Sequence, residues 1–592
     1  MHGLLGLIGR FGRDERGVFA VIFGVIAIVV VALSGAVVDY VSMEQARSRS
    51  QIALDAATLA LQPEIFSSTM NEEDIRARAE ALVRDRINDP SIEVTINPVE
   101  INLTQGSLLL TGRLIVPTRF VGLVGVSSLP ATIRAEAQRM MLDLEVAMVL
   151  DNSGSMQGTR ITNLKTAARC ATNILLYDAV HDTTCQPLSA AKVKENVKIG
   201  LVPFALMVNI GTQFRNSAWL DWAGISPLAS LNFDNDDNQN TPFNGPVNRT
   251  NLFAQTNSSW TGCVEARQSP YDTTDDEPDT PEKLFLPLFS PDTYTGLTNN
   301  YLSDTGGTCP VRTCTQRVER NNCTTDRRGN VTCSGATLTT YSRNNAGVVT
   351  DMGSASCIPS SPTVLSGPTE TTSGNKRTTT TTYSLLTPRE LQERLCKYNG
   401  TNIANSRTNF DCPSAAMLPL SNAPGTITTR INQMSAGGNT NIQQGTIWGV
   451  HMLTDSEPLT DALPISDSVS KALIIMSDGE NLPKFNNDMN GGTYFSWGFR
   501  KDGRLSPNPS DTNTQGKMTD IMDTKTVAAC QTAKDLGIRV YVVGLAVSNS
   551  VKDMLNDCSS GTDYAHFVEN PGELIDVFKR IAGSLSPLRL TQ

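Results

Sequence analysis

Residues 18–38, VFAVIFGVIAIVVVALSGAVV, are 21 consecutive positions without a charge. A hydrocarbon layer of about 30 Å needs about 20 apolar residues in a helix, so this run predicts one membrane crossing and divides the chain into two unequal parts. Asp39 ends it. Arg10, Arg13 and Arg16 precede the run and Arg47 and Arg49 follow it, a small excess that favours a cytoplasmic N-terminus. All twelve cysteines lie at or beyond Cys170, on the far side of that crossing, where an oxidising compartment would pair them. A cleaved leader is the alternative, with residues 32–36 (ALSGA) as small-residue cleavage ground, but the apolar run is longer than such a leader carries. The rival to disulfides is zinc at Cys309, Cys314, Cys323 and Cys333. Their separations of four, eight and nine residues are not the tight pairs of a structural zinc site.

At 592 residues the chain exceeds one ordinary core, so several domains or a large insertion are expected. A formal net charge of −10 leaves no basic stripe for a phosphate backbone, which speaks against a nucleic-acid partner. The histidines, His2, His181, His451 and His566, are scattered, which counts against a zinc centre and against general acid–base catalysis.

Beyond the apolar run, residues 43–61 read as its helix continued outward, stopped by Pro63, and 72–87 as a second helix. Residues 92–116 alternate in short strands joined by Asn-Pro and Gln-Gly turns. Residues 39–141 are therefore expected to form a juxtamembrane helix and small α/β module, a stalk rather than a site. From Leu142 the pattern changes. Apolar strands (EVAMVLD, VKIGLVPFALMVNI, KALIIMSD, IRVYVVGLAV) alternate with helices around 164–175, 442–453, 524–536 and 572–585. Near-continuous apolar strands between helices predict a doubly wound α/β fold, a mostly parallel sheet covered on both faces, with any site at the carboxyl ends of strands.

Residues 212–430 interrupt that pattern. They are heavy in Asn, Thr, Ser and Pro, hold eight of the cysteines and include the tract TETTSGNKRTTTTTY at 369–383. We expect a disulfide-rich insertion whose cysteines staple a weak core and whose threonine tract is a flexible surface loop. Of its acidic runs, FDNDDNQN (233–240) and YDTTDDEPD (271–279), the first has Asp234, Asp236 and Asn238 at alternate positions. Gln239 and Gly245 stand where a calcium loop needs glycine and glutamate, so solvated loops are expected. Cys530 and Cys558 come close in the expected fold and are candidates to pair, as are Cys170 and Cys185, though spacing does not fix connectivity.

The strand LEVAMVLD delivers Asp151, Ser153 and Ser155 into a turn at i, i+2 and i+4, where three oxygen side chains can face one point. Such oxygens suit a hard divalent cation, Mg²⁺ or Mn²⁺; the bland reading of the same turn is helix capping. Downstream, GGNTN places Thr440 at the head of a helix, and IIMSDGEN places Asp478 at a second strand end. With these residues the chain resembles a von Willebrand factor A (VWA) domain with its metal-ion-dependent adhesion site, over roughly 142–211 and 431–590. The resemblance implies that Ser153, Ser155 and Thr440 bind the metal directly or nearly so and that Asp151 and Asp478 act mainly through water. One coordination position is then free for a partner's Glu or Asp. A hydrolase reading lacks a base near Ser153 or Ser155, a second carboxylate two residues after Asp151, and a GxxxxGK[ST] loop, so no enzyme is expected.

The segment ERGVFAVIFGVIAIVVVALSGAVVDY, followed by RSRSQIALDAATLAL, is similar to the TadE/TadG-type anchor of bacterial Flp (tight adherence) pilus-assembly proteins, and FKRIAGSLSPLRLTQ is similar to the close of TadG-like chains. No glutamate stands inside the start of the span, so pilin-like processing is not expected. The implied organisation is a cytoplasmic tail (1–17), transmembrane anchor (18–38), juxtamembrane module (39–141), first VWA part (142–211), insertion (212–430) and second VWA part (431–592). The implied setting is the bacterial inner membrane with the bulk of the chain periplasmic. There the domain would dock a protein of the pilus or secretion machinery or, alternatively, act as a scaffold with an unused metal site.

Overall fold

The computed structural model describes residues 15–66, 71–102, 107–138, 143–234, 246–304, 308–309, 312–344, 348–358 and 362–585, with backbone alone for 15–20, Pro63, Asn102 and Leu123. The chain divides into two compact units, Met1–Leu142 and Asp143–Gln592.

In the first unit, α1 (Glu15–Leu61) is one continuous helix of 47 residues, and its apolar part is long enough to cross a membrane. Helix α2 (Glu72–Ile87) starts on a reciprocal capping box between Asn71 and Asp74 and ends at Asn88 in the left-handed conformation. Strands β1 (Glu93–Asn102), β2 (Ser107–Pro117) and β3 (Ser128–Gln138) form an antiparallel meander. Leu54, Ala57 and Leu61 of α1 and Ile75, Ala79 and Val83 of α2, spaced at the helical repeat, close a core over the inward residues of the sheet. Strand β3 lies beyond the expected strands. Its inward positions are Ala131, Ile133 and Ala135, and alanine is a poor strand signal.

In the second unit, β4 (Asp143–Asp151), α3 (Thr159–Leu176) and β5 (Val197–Phe204) precede a long excursion. It carries an antiparallel sheet of β6 (Thr313–Asn321), β7 (Gly335–Arg343), β8 (Val349–Gly353), β9 (Thr363–Ser373) and β10 (Lys376–Ser384), in the order β8-β7-β6-β10-β9. The chain returns through β11 (Leu418–Ser421), α4 (Pro424–Gln433), α5 (Ile442–Met452), β12 (Val469–Ser477), α6 (Gln515–Asp535), β13 (Arg539–Leu545), α7 (Asn549–Cys558), β14 (Ala565–Val568) and α8 (Leu574–Leu585). The main sheet runs β11-β5-β4-β12-β13-β14, parallel except for the edge strand β11. Leu144, Val146, Met148 and Leu150 of β4 face a core with α3, α4 and α8; Ala147 and Val149 face another with α5, α6 and α7. This is why the strand reads as apolar without a break. Gly445 and Gly449, one turn apart on α5, permit the close helix–sheet approach: a Cβ at Gly449 would stand 2.5 Å from Leu473 and 2.7 Å from Val149.

Several expectations are corrected here. The threonine tract is no flexible loop but the hairpin of β9 and β10, turning at Gly374 and Asn375, with β10 paired along its length to β6. Strand β11 and the first part of helix α4 lie within 212–430 yet belong to the main sheet and its core. The insertion is not merely stapled: Trp219, Phe285 and Phe289 continue the core formed by Trp448 of α5. The acidic run at 271–279 is a solvated loop only in part: Asp276, Glu277 and Asp279 are exposed. Asp272 is buried against Lys525, and Asp275 faces His451. Most of the run 233–240 lies outside the described residues. All twelve cysteines pair, as Cys170–Cys185, Cys263–Cys412, Cys309–Cys396, Cys314–Cys357, Cys323–Cys333 and Cys530–Cys558, which removes zinc at 309–333.

Candidate metal-ion site

Strands β4 and β12 are parallel neighbours in a register that sets Leu150 opposite Met476, so Asp151 and Ser477 finish side by side at the carboxyl edge of the sheet. The chain leaves β4 through α3 for β5 on one side, and β12 lies on the other; ligands of open α/β sheets gather at such a reversal. Beyond β4 the Ser153 N–H donates to Asp151 Oδ1 at 2.8 Å, which curls the loop, and the Ser477 hydroxyl donates to Asp151 Oδ2 at 2.7 Å. Ser153 Oγ lies 2.8 Å from Ser155 Oγ, and the Ser155 hydroxyl donates to Asp478 Oδ1 at 2.5 Å.

A second loop is stitched to the first through main-chain bonds. Gly437 N–H donates to the Asn152 carbonyl at 2.8 Å, and Gly154 N–H to the Gly438 carbonyl at 2.9 Å. Thr440, buried at 4 % exposure, follows on that loop, and its carbonyl accepts from Leu482 N–H. The Thr440 hydroxyl makes no hydrogen bond to Asp151, Ser153, Ser155 or Asp478. The structure thus joins those four in one bonded cluster and holds Thr440 on the adjoining loop.

Asp151 is fully buried. Burial first, and the neighbouring Asp478 carboxylate second, push its carboxyl up to about 6, against the hydrogen bonds from Ser153 and Ser477. The cation that meets this pair is Arg160, whose Nη1 lies 2.5 Å from Asp478 Oδ2 and whose side chain is about one-third exposed at 37 %. Sequence alone does not point to Arg160, to Ser477 or to the buried Asn152, whose side-chain O and N both lack a hydrogen-bond partner. The signal for Ser477 is register, which needs the pairing of β4 with β12.

The chemistry of these donors fits a hard divalent cation: two carboxylates, the hydroxyls of Ser153 and Ser155, and Thr440 beside them, all oxygen. Among the described residues no group of three or more His, Cys, Asp or Glu side chains is placed to hold a metal. An open cleft of about 400 Å³ lined by Asn439, Leu482, Lys484 and Phe485 begins one residue from Thr440.

Among solved structures the chain is similar to pilus adhesin SpaC from Lactobacillus rhamnosus GG, at 9 % identity and a TM-score of 0.28, over 84 % of this chain and 35 % of that one. It is also similar to the vWF domain of the type V pili tip protein Mfa5 from Porphyromonas gingivalis (9 % identity, TM-score 0.26, 75 % of this chain and 95 % of that one). A third likeness is to the adhesive tip pilin GBS104 from Group B Streptococcus agalactiae (9 % identity, TM-score 0.26, 83 % and 68 %). The chain spans about a third of the SpaC length it matches. No curated protein matches it. Residues 17–62 match the family model described as "Putative Flp pilus-assembly TadE/G-like", which places the N-terminal segment in the class its residues resemble.

Proposed function

We propose that the second unit is a doubly wound VWA domain in which Ser153, Ser155 and Thr440, with Asp151 and Asp478 acting mainly through water, hold Mg²⁺ or Mn²⁺ and dock a protein partner. The chain is then a non-enzymatic, single-pass protein of the bacterial inner membrane, N-terminus cytoplasmic and bulk periplasmic, serving Flp/Tad pilus assembly. The bonded cluster carries this reading: residues 323 positions apart converge so that two carboxylates meet mainly hydroxyl groups rather than a full complement of cations. A bound divalent ion would neutralise them and offer an electrophilic position to a partner's carboxylate. The N-terminal family match and the membrane-length helix support the setting, and six disulfides support an oxidising compartment.

The full chain in detergent should bind Mn²⁺ saturably by electron paramagnetic resonance, and Asp151→Ala or Thr440→Ala should weaken that binding by about tenfold to a hundredfold. A folded wild type that binds no Mn²⁺, or variants that bind it equally, would sink the metal reading. Partners recovered from membranes should be lost with chelator and in both variants.

One observation favours the second reading, a scaffold whose metal site is unused: Arg160 already pairs with Asp478. If that pair only competes with the ion, Arg160→Ala should tighten Mn²⁺ binding. If it replaces the ion, the wild type should show none.

A further inference from the structure

We propose that the tip of the β2–β3 hairpin is a second membrane contact, lying in the surface of the bilayer beside the anchor helix. This rests on the reading of α1 as a transmembrane anchor. Asp39, the first charge after the uncharged run, accepts hydrogen bonds from the backbone N–H groups of Arg119 at 3.0 Å, Phe120 at 2.8 Å and Val121 at 2.7 Å. The hairpin tip is thereby pinned to the helix where the apolar run ends. One turn back on the same helix face, Gly35 lets Phe120 sit against the backbone: a Cβ there would stand 2.2 Å from the Phe120 Cβ. Gly35 is three residues inside the run, about 4.5 Å at 1.5 Å per residue, so Phe120 is held at the edge of the hydrocarbon layer or just within it.

The composition of the tip fits that depth. From Phe120 to Leu129 the sequence FVGLVGVSSL has no charge, and Phe120, Val124 and Val126 are 38 %, 58 % and 42 % exposed. Large apolar side chains exposed together on a loop need a non-aqueous partner, and here the anchor itself dictates which partner is at that level. Tyr40 and Arg119 flank the contact and are exposed, the residue types that settle among lipid headgroups. The Asp39 charge, which would be costly at this depth, is met by the three N–H donors. The hairpin would thus fix the tilt and rotation of the first unit on the membrane, which a single helix does not do.

Because every native cysteine is paired, one introduced cysteine is a unique attachment point. Full-length Val124→Cys, Ile28→Cys and Leu82→Cys would each carry an environment-sensitive NBD label in vesicles of phosphatidylcholine and phosphatidylglycerol. Leu82 is the aqueous control: α2 packs on residues 53–61 of α1, about 22 to 35 Å past the apolar run at 1.5 Å per residue. Val124 and Ile28 labels should be blue-shifted and quenched by a nitroxide on the lipid acyl chain, with Leu82 in water. Gly35→Leu should return the Val124 label to water while Ile28 stays quenched. A quenched Ile28 with a Val124 spectrum matching Leu82 overturns the hairpin contact and leaves the anchor standing. A blue-shifted Val124 that acyl-chain nitroxide does not quench means a protein surface covers the tip, and also overturns it. An unquenched Ile28 removes the anchor reading, and the proposal with it.

Discussion

Asp272 and Asp275 on a loop of the insertion, and Asp151 and Asp478 at the ends of adjacent strands, are carboxylates withdrawn from water in the same unit, but their surroundings differ in kind. Asp272 Oδ2 receives Lys525 Nζ at 2.6 Å and the Trp497 indole N–H at 2.9 Å. Asp275 faces His451 at 2.7 Å and the hydroxyls of Thr454 and Ser456. Arg267 closes the cluster by donating to the carbonyls of Thr274 and Asp276; burial lowers its pKa to about 10, against the pull of Asp275, Asp276 and Asp272. At Asp151 and Asp478 the near donors are mostly serine hydroxyls, and the one ion pair goes to a part-exposed arginine on the outer side. Asp272, matched by the lysine on α6, ties the insertion to the helices that cover the sheet. A carboxylate left against another carboxylate is destabilising until something positive arrives.

The sharpest test of this contrast is a pair of substitutions with opposite signs. Asp272→Ala leaves Lys525, only 13 % exposed, without its partner and should cost about 3–5 kcal/mol in chemical denaturation, with Mn²⁺ affinity unchanged in the folded fraction. Asp151→Asn should do the reverse. Its carboxyl is raised from 3.8 to about 6, and an acid raised on folding costs stability wherever it is ionised. In chelator at pH 7 the variant should gain about 1–3 kcal/mol, an advantage that shrinks as pH falls below about 6 and wild-type Asp151 takes up its proton. A destabilised Asp151→Asn with intact Mn²⁺ binding would make the two clusters alike and remove the functional reading of the strand-end pair.

Legibility from sequence followed the same divide. Asp151 and Asp478 announce themselves because each stands at the end of an apolar strand, with Ser153 and Ser155 in the turn that follows Asp151, and strand ends in such a sheet point to one edge. Ser477 and Arg160 do not. Ser477 is one more small polar residue until β12 is placed in register with β4, and Arg160 is an ordinary charge in the first turn of α3. In the insertion, acidity and threonine content suggest solvated loops, yet Asp272 is ion-paired in the interior and the tract is paired strand. A signal was present in the second case: Gly374-Asn375 between two threonine-rich, β-branched runs is a two-residue hairpin turn. For Asp272 the partners lie 171 to 253 positions away, a distance over which composition carries no information.

A smaller effect separates the clusters by pH. His451 is fully buried, its Nδ1 bonded to Asp275 and its Nε2 without a partner, with the rings of Trp448 and Phe285 edge-on beside it. Burial lowers its pKa below the ordinary 6.5; the Asp275 hydrogen bond and charge oppose this, and Arg267, the other charged group facing it, adds to the lowering. A histidine depressed on folding binds fewer protons in the native state than in the unfolded chain. Stability is therefore complete above about 6.5 and is lost as pH falls toward the native pKa, by at most about 1.4 kcal/mol per pH unit. His451→Gln keeps a donor for Asp275 but cannot titrate, so its stability should fall less steeply than that of the wild type between pH 6.5 and 5. Mn²⁺ binding at pH 7 should not change. Parallel slopes would mean that His451 binds protons equally in the folded and unfolded chain, the Asp275 contact offsetting its burial.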